Sequence, residues 1–311
     1  MSDLRQYLID EAVEDFDQGR LVRRDAIRML GGLLGVALAT QLIDARAQTA
    51  PPAPAPSVPP APAVVPSPLR SAASVAHNDP AIVAASLRFP GGGDAQLTGY
   101  MARPNKPGTY PIVLVCHENM GLTRHNEDVT RRLAKAGYVG FAVDLLSREG
   151  GTTRQSPAAI PGMLGGVPPV RHVQDFQSAL AFAKTQPFAR PERAGMVGFC
   201  FGGGIAWRVA AAATELRAVV PFYGLPVSAA EVPNIQAAVL AIYAARDERI
   251  GATIPAIEAA MKENGKTFRK LIYPEVDHAF HDDTGDRYSA GAAQAAWEET
   301  LKWFAMHLQA A

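Results

Sequence analysis

From His77 onward, short apolar runs alternate with stretches of helical period. The runs Ile112-Val113-Leu114-Val115-Cys116, 139–143, Gly195-Met196-Val197, 218–222, 239–243 and 268–273 are mostly near-continuous, the pattern of strands covered on both faces. Ahead of them, 83–89 and 97–102 flank Gly91-Gly92-Gly93 and predict an antiparallel hairpin. Helical period appears at 126–136, with Val129 and Leu133 on one face and Gly137 at the stop, and again at 173–184 and 203–213. A final helix aligns Trp297, Leu301, Phe304 and Leu308 in one stripe. Strand and helix in alternation predict one α/β domain over 77–311, a mostly parallel central sheet with helices on both faces. No internal repeat is visible.

The N-terminal quarter has a different texture. Nine prolines fall between Pro51 and Pro68, among Ala, Ser and Val. Each ring fixes φ and removes an N–H, so 48–76 reads as an extended, solvated linker. Upstream, Arg23-Arg24 precede an uncharged stretch from Met29 to Ile43, followed by Ala45-Arg46-Ala47. A basic pair, a short apolar segment and a small-x-small site are the parts of a secretory leader, here placed at 1–47. Val22-Arg23-Arg24-Asp25-Ala26-Ile27 resembles the twin-arginine signal, whose route exports folded proteins. Asp25 and Ala26 depart from its pattern, and an acidic prelude, 1–19, precedes it. A membrane anchor or a surface helix is the alternative, but about 14 apolar positions are short for a spanning helix, which needs roughly 20. The leader predicts contact with the export machinery and a periplasmic or secreted mature protein.

Composition narrows the function. Lys+Arg number 30 and Asp+Glu 30, with no basic run longer than a pair, which argues against a nucleic-acid partner. Residues 1–47 hold six Lys/Arg and eight Asp/Glu, so the chain from Gln48 carries 24 against 22. A hydrophobic share of 48% supplies a sizeable core and excludes disorder throughout. Two cysteines are too few for a disulfide scaffold or a Cys-rich zinc site.

The sharpest local pattern is Gly198-Phe199-Cys200-Phe201-Gly202, between the strand ending at Val197 and the helix beginning at Gly203. It has the nucleophile-elbow form G-x-nucleophile-x-G, with Cys in the usual position of Ser. The tight turn leaves no room for flanking side chains and sets the thiol at a helix N-terminus, which favours thiolate. Such turns also bind phosphate, but G-K-[ST] and G-x-G-x-x-G are both missing. An orienting acid and a histidine are expected downstream, in that order. Asp247 and His278 each follow a predicted strand end, on the sheet edge that hosts ligands. Glu248 and Asp277 are the substitutes for the acid. His278 and His281 also form a His-x-x-His pair before Asp282-Asp283, but H-E-x-x-H is missing, and no metal or other cofactor is expected.

These motifs carry a resemblance. Cys116-His117-Glu118-Asn119-Met120-Gly121-Leu122, Arg132-Leu133-Ala134-Lys135-Ala136-Gly137-Tyr138, Val143-Asp144-Leu145-Leu146-Ser147, Gly198 to Gly204, Pro221-Phe222-Tyr223-Gly224 and the Asp247 and His278 loops stand in the order of the dienelactone hydrolase (carboxymethylenebutenolidase) family. The resemblance covers about Val83 to Leu308. It implies an α/β-hydrolase fold and lactone or ester hydrolysis through a Cys200-His278-Asp247 triad and a thioester. It also implies that Glu118 holds the thiol at rest and assists its ionisation, since a free thiol has a pKa of about 8.5 and needs a base near neutral pH. Backbone amides of Asn119 and Phe201 are expected to form the oxyanion hole.

The sequence departs from the family where substrate binds. Four residues past the histidine, the family arginine that binds a substrate carboxylate is replaced by Asp282, so another ester is a competing substrate. Arg154 or Arg171 is a candidate to compensate, and 156–170, rich in Pro and Gly, is a candidate lid. Cys116 reads as a small buried hydrophobe, or as a neighbour close enough to form an inactivating disulfide with Cys200. A broad carboxylesterase and a noncatalytic envelope binding protein on the same scaffold are the alternatives. The protein is expected to act as a monomer.

Overall fold

Eight strands form one sheet in the computed structural model, which describes residues 3–49 and 70–309. In chain order they are β1 (Ile82–Pro90), β2 (Gln96–Pro104), β3 (Tyr110–Cys116), β4 (Val139–Val143), β5 (Ala189–Phe199), β6 (Leu216–Phe222), β7 (Ala238–Ala244) and β8 (Phe268–Tyr273). Their lateral order is β1-β2-β4-β3-β5-β6-β7-β8. β1 and β2 pair antiparallel, from Ile82 opposite Pro104 to Pro90 opposite Gln96, and β2 is antiparallel to β4. The six strands from β3 to β8 are parallel. Continuous apolar runs become the interior of this sheet: every residue of β4 and β7 is buried, whereas β8, at the edge, is half exposed.

Among the described residues, ten α-helices accompany the sheet. Three precede it: α1 (Asp3–Asp17), α2 (Arg23–Leu34) and α3 (Val36–Thr49). The others are α4 (Arg124–Lys135), α5 (Ile160–Gly165), α6 (Pro169–Lys184), α7 (Phe201–Ala212), α8 (Glu248–Gly251), α9 (Ile254–Glu263) and α10 (Ala290–Phe304). A capping box between Thr123 and Asn126 starts α4, and α10 runs into a π turn that buries Leu308 under the predicted stripe. Phe141, Phe176, Phe199, Trp207, Phe222 and Phe304 are completely buried where these helices meet the sheet.

The segment read as a leader is folded onto this body. Leu4, Tyr7, Leu8, Ile9 and Ala12 of α1 and Ala26, Leu30 and Leu33 of α2 are all buried. Burying a leucine or isoleucine in this way stabilises the docked state by about 1.5–3 kcal/mol relative to leaving it in water. Among the described residues, no helix is long and apolar enough to cross a membrane. The proline-rich core of the linker, 51–69, lies outside the described residues. Its expected end, 70–76, packs on the body: the Ser71 amide donates to Asp283 Oδ2 at 3.0 Å and the Val75 amide to Asp128 Oδ1 at 2.8 Å. Two buried carboxylates thus draw the packed region back to Arg70, before His77. The candidate lid contains α5, whose Ile160 and Leu164 are buried and which packs against α2 and α1.

Candidate active site

Cys200 sits on the turn from β5 to α7 with φ 55° and ψ −121°, a strained conformation for a residue with a side chain. The flanking glycines make the turn feasible. A Cβ at Gly198 would lie 2.1 Å from the Gly202 carbonyl oxygen, and one at Gly202 would lie 2.3 Å from that of His117. The register of β3 against β5 pairs Cys116 with Gly198, so Glu118 and Cys200 leave the sheet two residues beyond the same rung. β4 and β5 lie on opposite sides of β3, which makes this a switch point at the carboxyl ends of the strands.

Asp247 and His278 follow β7 and β8 on the same edge. His278 Nδ1 is 2.5 Å from Asp247 Oδ2, while Asp247 Oδ1 accepts the Ile250 amide at 3.1 Å and caps α8. Burial alone would raise the Asp247 carboxyl. The hydrogen bond and charge of His278, the Ile250 amide and Arg249 outweigh it and hold the group below the usual carboxylate range. Glu248 and Asp277, the substitutes considered for this role, do not make that contact; Asp277 faces Arg246 at 3.9 Å.

Glu118 is buried after β3 and accepts from the Tyr223 hydroxyl at 3.4 Å. Burial raises its pKa well above normal, and Asp282, by charge and by a hydrogen bond, raises it further; Arg287 opposes the shift. Asp282, in the place of the family arginine, therefore stands beside Glu118. Of the two candidate arginines, Arg154 is exposed, and Arg171 pairs with Glu149 at 2.6 Å. The guanidinium groups that act on the site belong to Arg249 and Arg287. Tyr223, with φ 37° and its ring 4.9 Å from that of His278, is a further site residue. Its signal was the Pro221-Phe222-Tyr223-Gly224 motif at a strand end.

The thiol is 2% exposed and its immediate partners come from α1. Tyr7 Oη lies 3.2 Å from Cys200 Sγ and 3.2 Å from His278 Nε2. Glu11 Oε1 lies 3.3 Å from the same sulfur and 3.4 Å from the same nitrogen. The second Glu11 oxygen accepts from the Asn119 side-chain amide at 2.8 Å. Burial raises the Cys200 thiol well above its normal pKa, and Glu11 and Glu118 raise it further, against the Tyr7 hydroxyl and the Phe201 amide. The Phe201 amide faces the sulfur, while Asn119 contacts Glu11 through its side chain. Sequence reasoning missed Tyr7 and Glu11; their i, i+4 spacing on the Leu4-Tyr7-Leu8-Glu11 face was the available signal.

His117, beside the site, has structural partners on both ring nitrogens. His117 Nδ1 donates to the Glu118 carbonyl at 2.7 Å and Nε2 accepts the Leu145 amide at 3.2 Å, while burial lowers its pKa and keeps it neutral. Cys116 and Cys200 are both free thiols, and Cys116 is fully buried. Two groups of ligand-type side chains converge among the described residues: Glu11, Cys200 and His278, and His125, Asp282 and Asp283. In the second, Asp283 already binds His125 at 2.7 Å and Arg132 at 2.9 Å. His281 joins neither group; its ring stacks 4.9 Å from that of Phe199, and burial pushes its pKa well down.

The profile of the Dienelactone hydrolase family matches residues 97–308. A protein named as a carboxymethylenebutenolidase in Methylorubrum extorquens is 34% identical over 250 residues, covering 76% of this chain and 86% of that protein. A protein named as a 2-oxo-3-(5-oxofuran-2-ylidene)propanoate lactonase from Bradyrhizobium sp. is 31% identical, covering 70% and 91%. A dienelactone hydrolase structure from Klebsiella pneumoniae superposes with a TM-score of 0.68 at 31% identity, covering 73% of this chain and all of that one.

Proposed function

Because the chain belongs to the dienelactone hydrolase family, and so to the hydrolases of carboxylic esters, we propose that it opens a lactone or cleaves an ester through Cys200, His278 and Asp247. The observation that carries this reading is the strained elbow at Cys200, with Nε2 of the Asp247-bound His278 facing the same two atoms as the sulfur. The Cys200 thiol gives its proton to His278, the thiolate attacks the carbonyl carbon, and the tetrahedral oxyanion is held by the amides of Phe201 and Asn119. The carbon–oxygen bond breaks, the leaving oxygen takes its proton from His278, and a thioester to Cys200 remains. His278, oriented by Asp247, then takes a proton from water, whose oxygen attacks the thioester. The carboxylate leaves and the thiol is restored. Glu118, beside Cys200 and with its pKa raised by burial and by Asp282, is the group that exchanges a proton with the resting site.

A different ester is the second reading, favoured by Asp282, since a carboxylate there repels an anionic substrate. We also propose export through the 1–47 leader. A panel of lactones and activated esters, including cis-dienelactone, tests the activity. Cys200→Ala is expected to lower turnover at least about 10³-fold, in the range for loss of a nucleophile. Retention of the wild-type rate by that variant would remove the assignment.

A further inference from the structure

α1 occupies the space a substrate has to enter. Glu11 Oε1 and Tyr7 Oη both lie between the Cys200 sulfur and His278 Nε2, at 3.2–3.4 Å from each. Glu11 is 4% exposed, Tyr7 3% and Cys200 2%, so the helix covers the sulfur and is itself buried against it. We infer that α1 is an intramolecular inhibitor, a plug that keeps the hydrolase closed until the helix leaves the site. The inference rests on the reading of Cys200 and His278 as the reacting pair.

The docking has three parts, none made by the catalytic groups. Leu4, Leu8 and Ala12, on the face that carries Tyr7 and Glu11, are buried. The acidic edge of α1 meets basic residues of the body: Glu14 lies 3.5 Å from Arg249 and Asp15 3.3 Å from Arg287, while the Arg249 guanidinium sits 4.3 Å from the centre of the Tyr7 ring. Finally, α2 rests on α5 through glycines. A Cβ at Gly32 would stand 3.0 Å from the Gly162 Cα, and one at Gly165 would meet Leu33 and Leu8 side chains at 2.7 and 2.8 Å. The acidic prelude that fits no leader pattern thus has a partner, the basic rim of this site. If the leader is removed after Ala47, α1 goes with it, and the same cut that releases the protein opens the enzyme.

The test uses the full chain with two readouts: iodoacetamide alkylation of Cys200, mapped by peptide mass, and kcat/KM for p-nitrophenyl acetate. Leu8→Asp detaches the helix without touching the reacting groups. Tyr7→Ala/Glu11→Ala removes the plug atoms and leaves the docking leucines. A third form carries a protease site within the proline-rich stretch and is cut after purification, then challenged with a peptide of residues 1–20. Both variants are expected to raise alkylation and kcat/KM at least tenfold, with Cys116 unreacted as the sign that the body is intact. The peptide is expected to slow the cut form. Alkylation of Cys200 unchanged within twofold in both variants overturns the plug. Faster alkylation with no ester turned over keeps the plug and overturns the hydrolase reading instead.

Discussion

Two pieces of chain hold Cys200, and they are built on opposite principles. The elbow from β5 into α7 is fixed by main-chain crowding: carbonyl oxygens of His117 and Gly202 occupy the space where side chains would begin. α1 is held by side chains alone, leucines on one face and carboxylates opposite arginines on another. Main-chain crowding cannot be relaxed without moving the sheet. Side-chain contacts can be undone one at a time. The machinery of the site is therefore inseparable from the fold, whereas its cover is separable from it.

The largest effect expected follows from that contrast. Gly202→Val puts a Cβ 2.3 Å from one carbonyl oxygen and 2.6 Å from another. It should destabilise the protein by about 3–5 kcal/mol, or about 10 °C in thermal unfolding for a domain of this size, and abolish esterase activity. Gly32→Val meets only the Gly162 backbone across α2 and α5, at 3.0 Å. It should loosen the N-terminal helices, leave the main unfolding transition within a few degrees, and speed alkylation of Cys200. Equal losses of stability in the two variants would make the N-terminal helices part of the same cooperative unit and erase the contrast.

A second, intermediate effect comes from protons. In the docked state Cys200 is raised by burial, Glu11 and Glu118, with Tyr7 and the Phe201 amide acting the other way and His278 and Arg287 also facing the site. Undocking exposes the thiol and returns it toward its ordinary value of about 8.5. A group that holds its proton more tightly when docked favours docking below its undocked pKa, and that contribution is lost as pH rises through the window between the two values. Glu118, raised by burial, Asp282 and Glu11, acts in the same direction from the carboxylate range upward. The ratio of Cys200 alkylation rates in Leu8→Asp and wild type should fall as pH rises from about 7 to 9.5, by up to about tenfold per unit. A ratio that stays constant over that range breaks the link between the thiol and the helix.

The same contrast governs what the sequence disclosed. Strands, elbow and the loops of Asp247 and His278 follow from local patterns: apolar runs, glycines around a nucleophile, and polar residues just past strand ends. The helices 248–251 and 254–263 were not singled out, because Pro255 and short length hide their period. Tyr7 and Glu11 act 193 and 189 residues away from Cys200. Nothing local connects an acidic prelude to a thiol so distant, and its resemblance to a leader supplied a sufficient account of the segment. Asp282 was visible as a departure, but its contact with Glu118 needed the two loops to be brought together.

The smallest effect concerns the acidic edge of α1. Asp15 pairs with Arg287 at 3.3 Å and with Arg20 at 2.7 Å, and all three side chains are partly exposed. Such a pair contributes about 0.2–1 kcal/mol, so Asp15→Ala should speed Cys200 alkylation by at most about fivefold. Raising ionic strength from 0.05 to 0.5 M should speed the wild type by a similar amount and leave Asp15→Ala less affected, because added salt screens the attraction the variant has already lost. Gly202→Val, whose defect is steric, should show no such salt dependence. If salt leaves wild-type alkylation unchanged, the carboxylates do not hold α1, and its docking belongs to Leu4, Leu8 and the glycine contacts of α2.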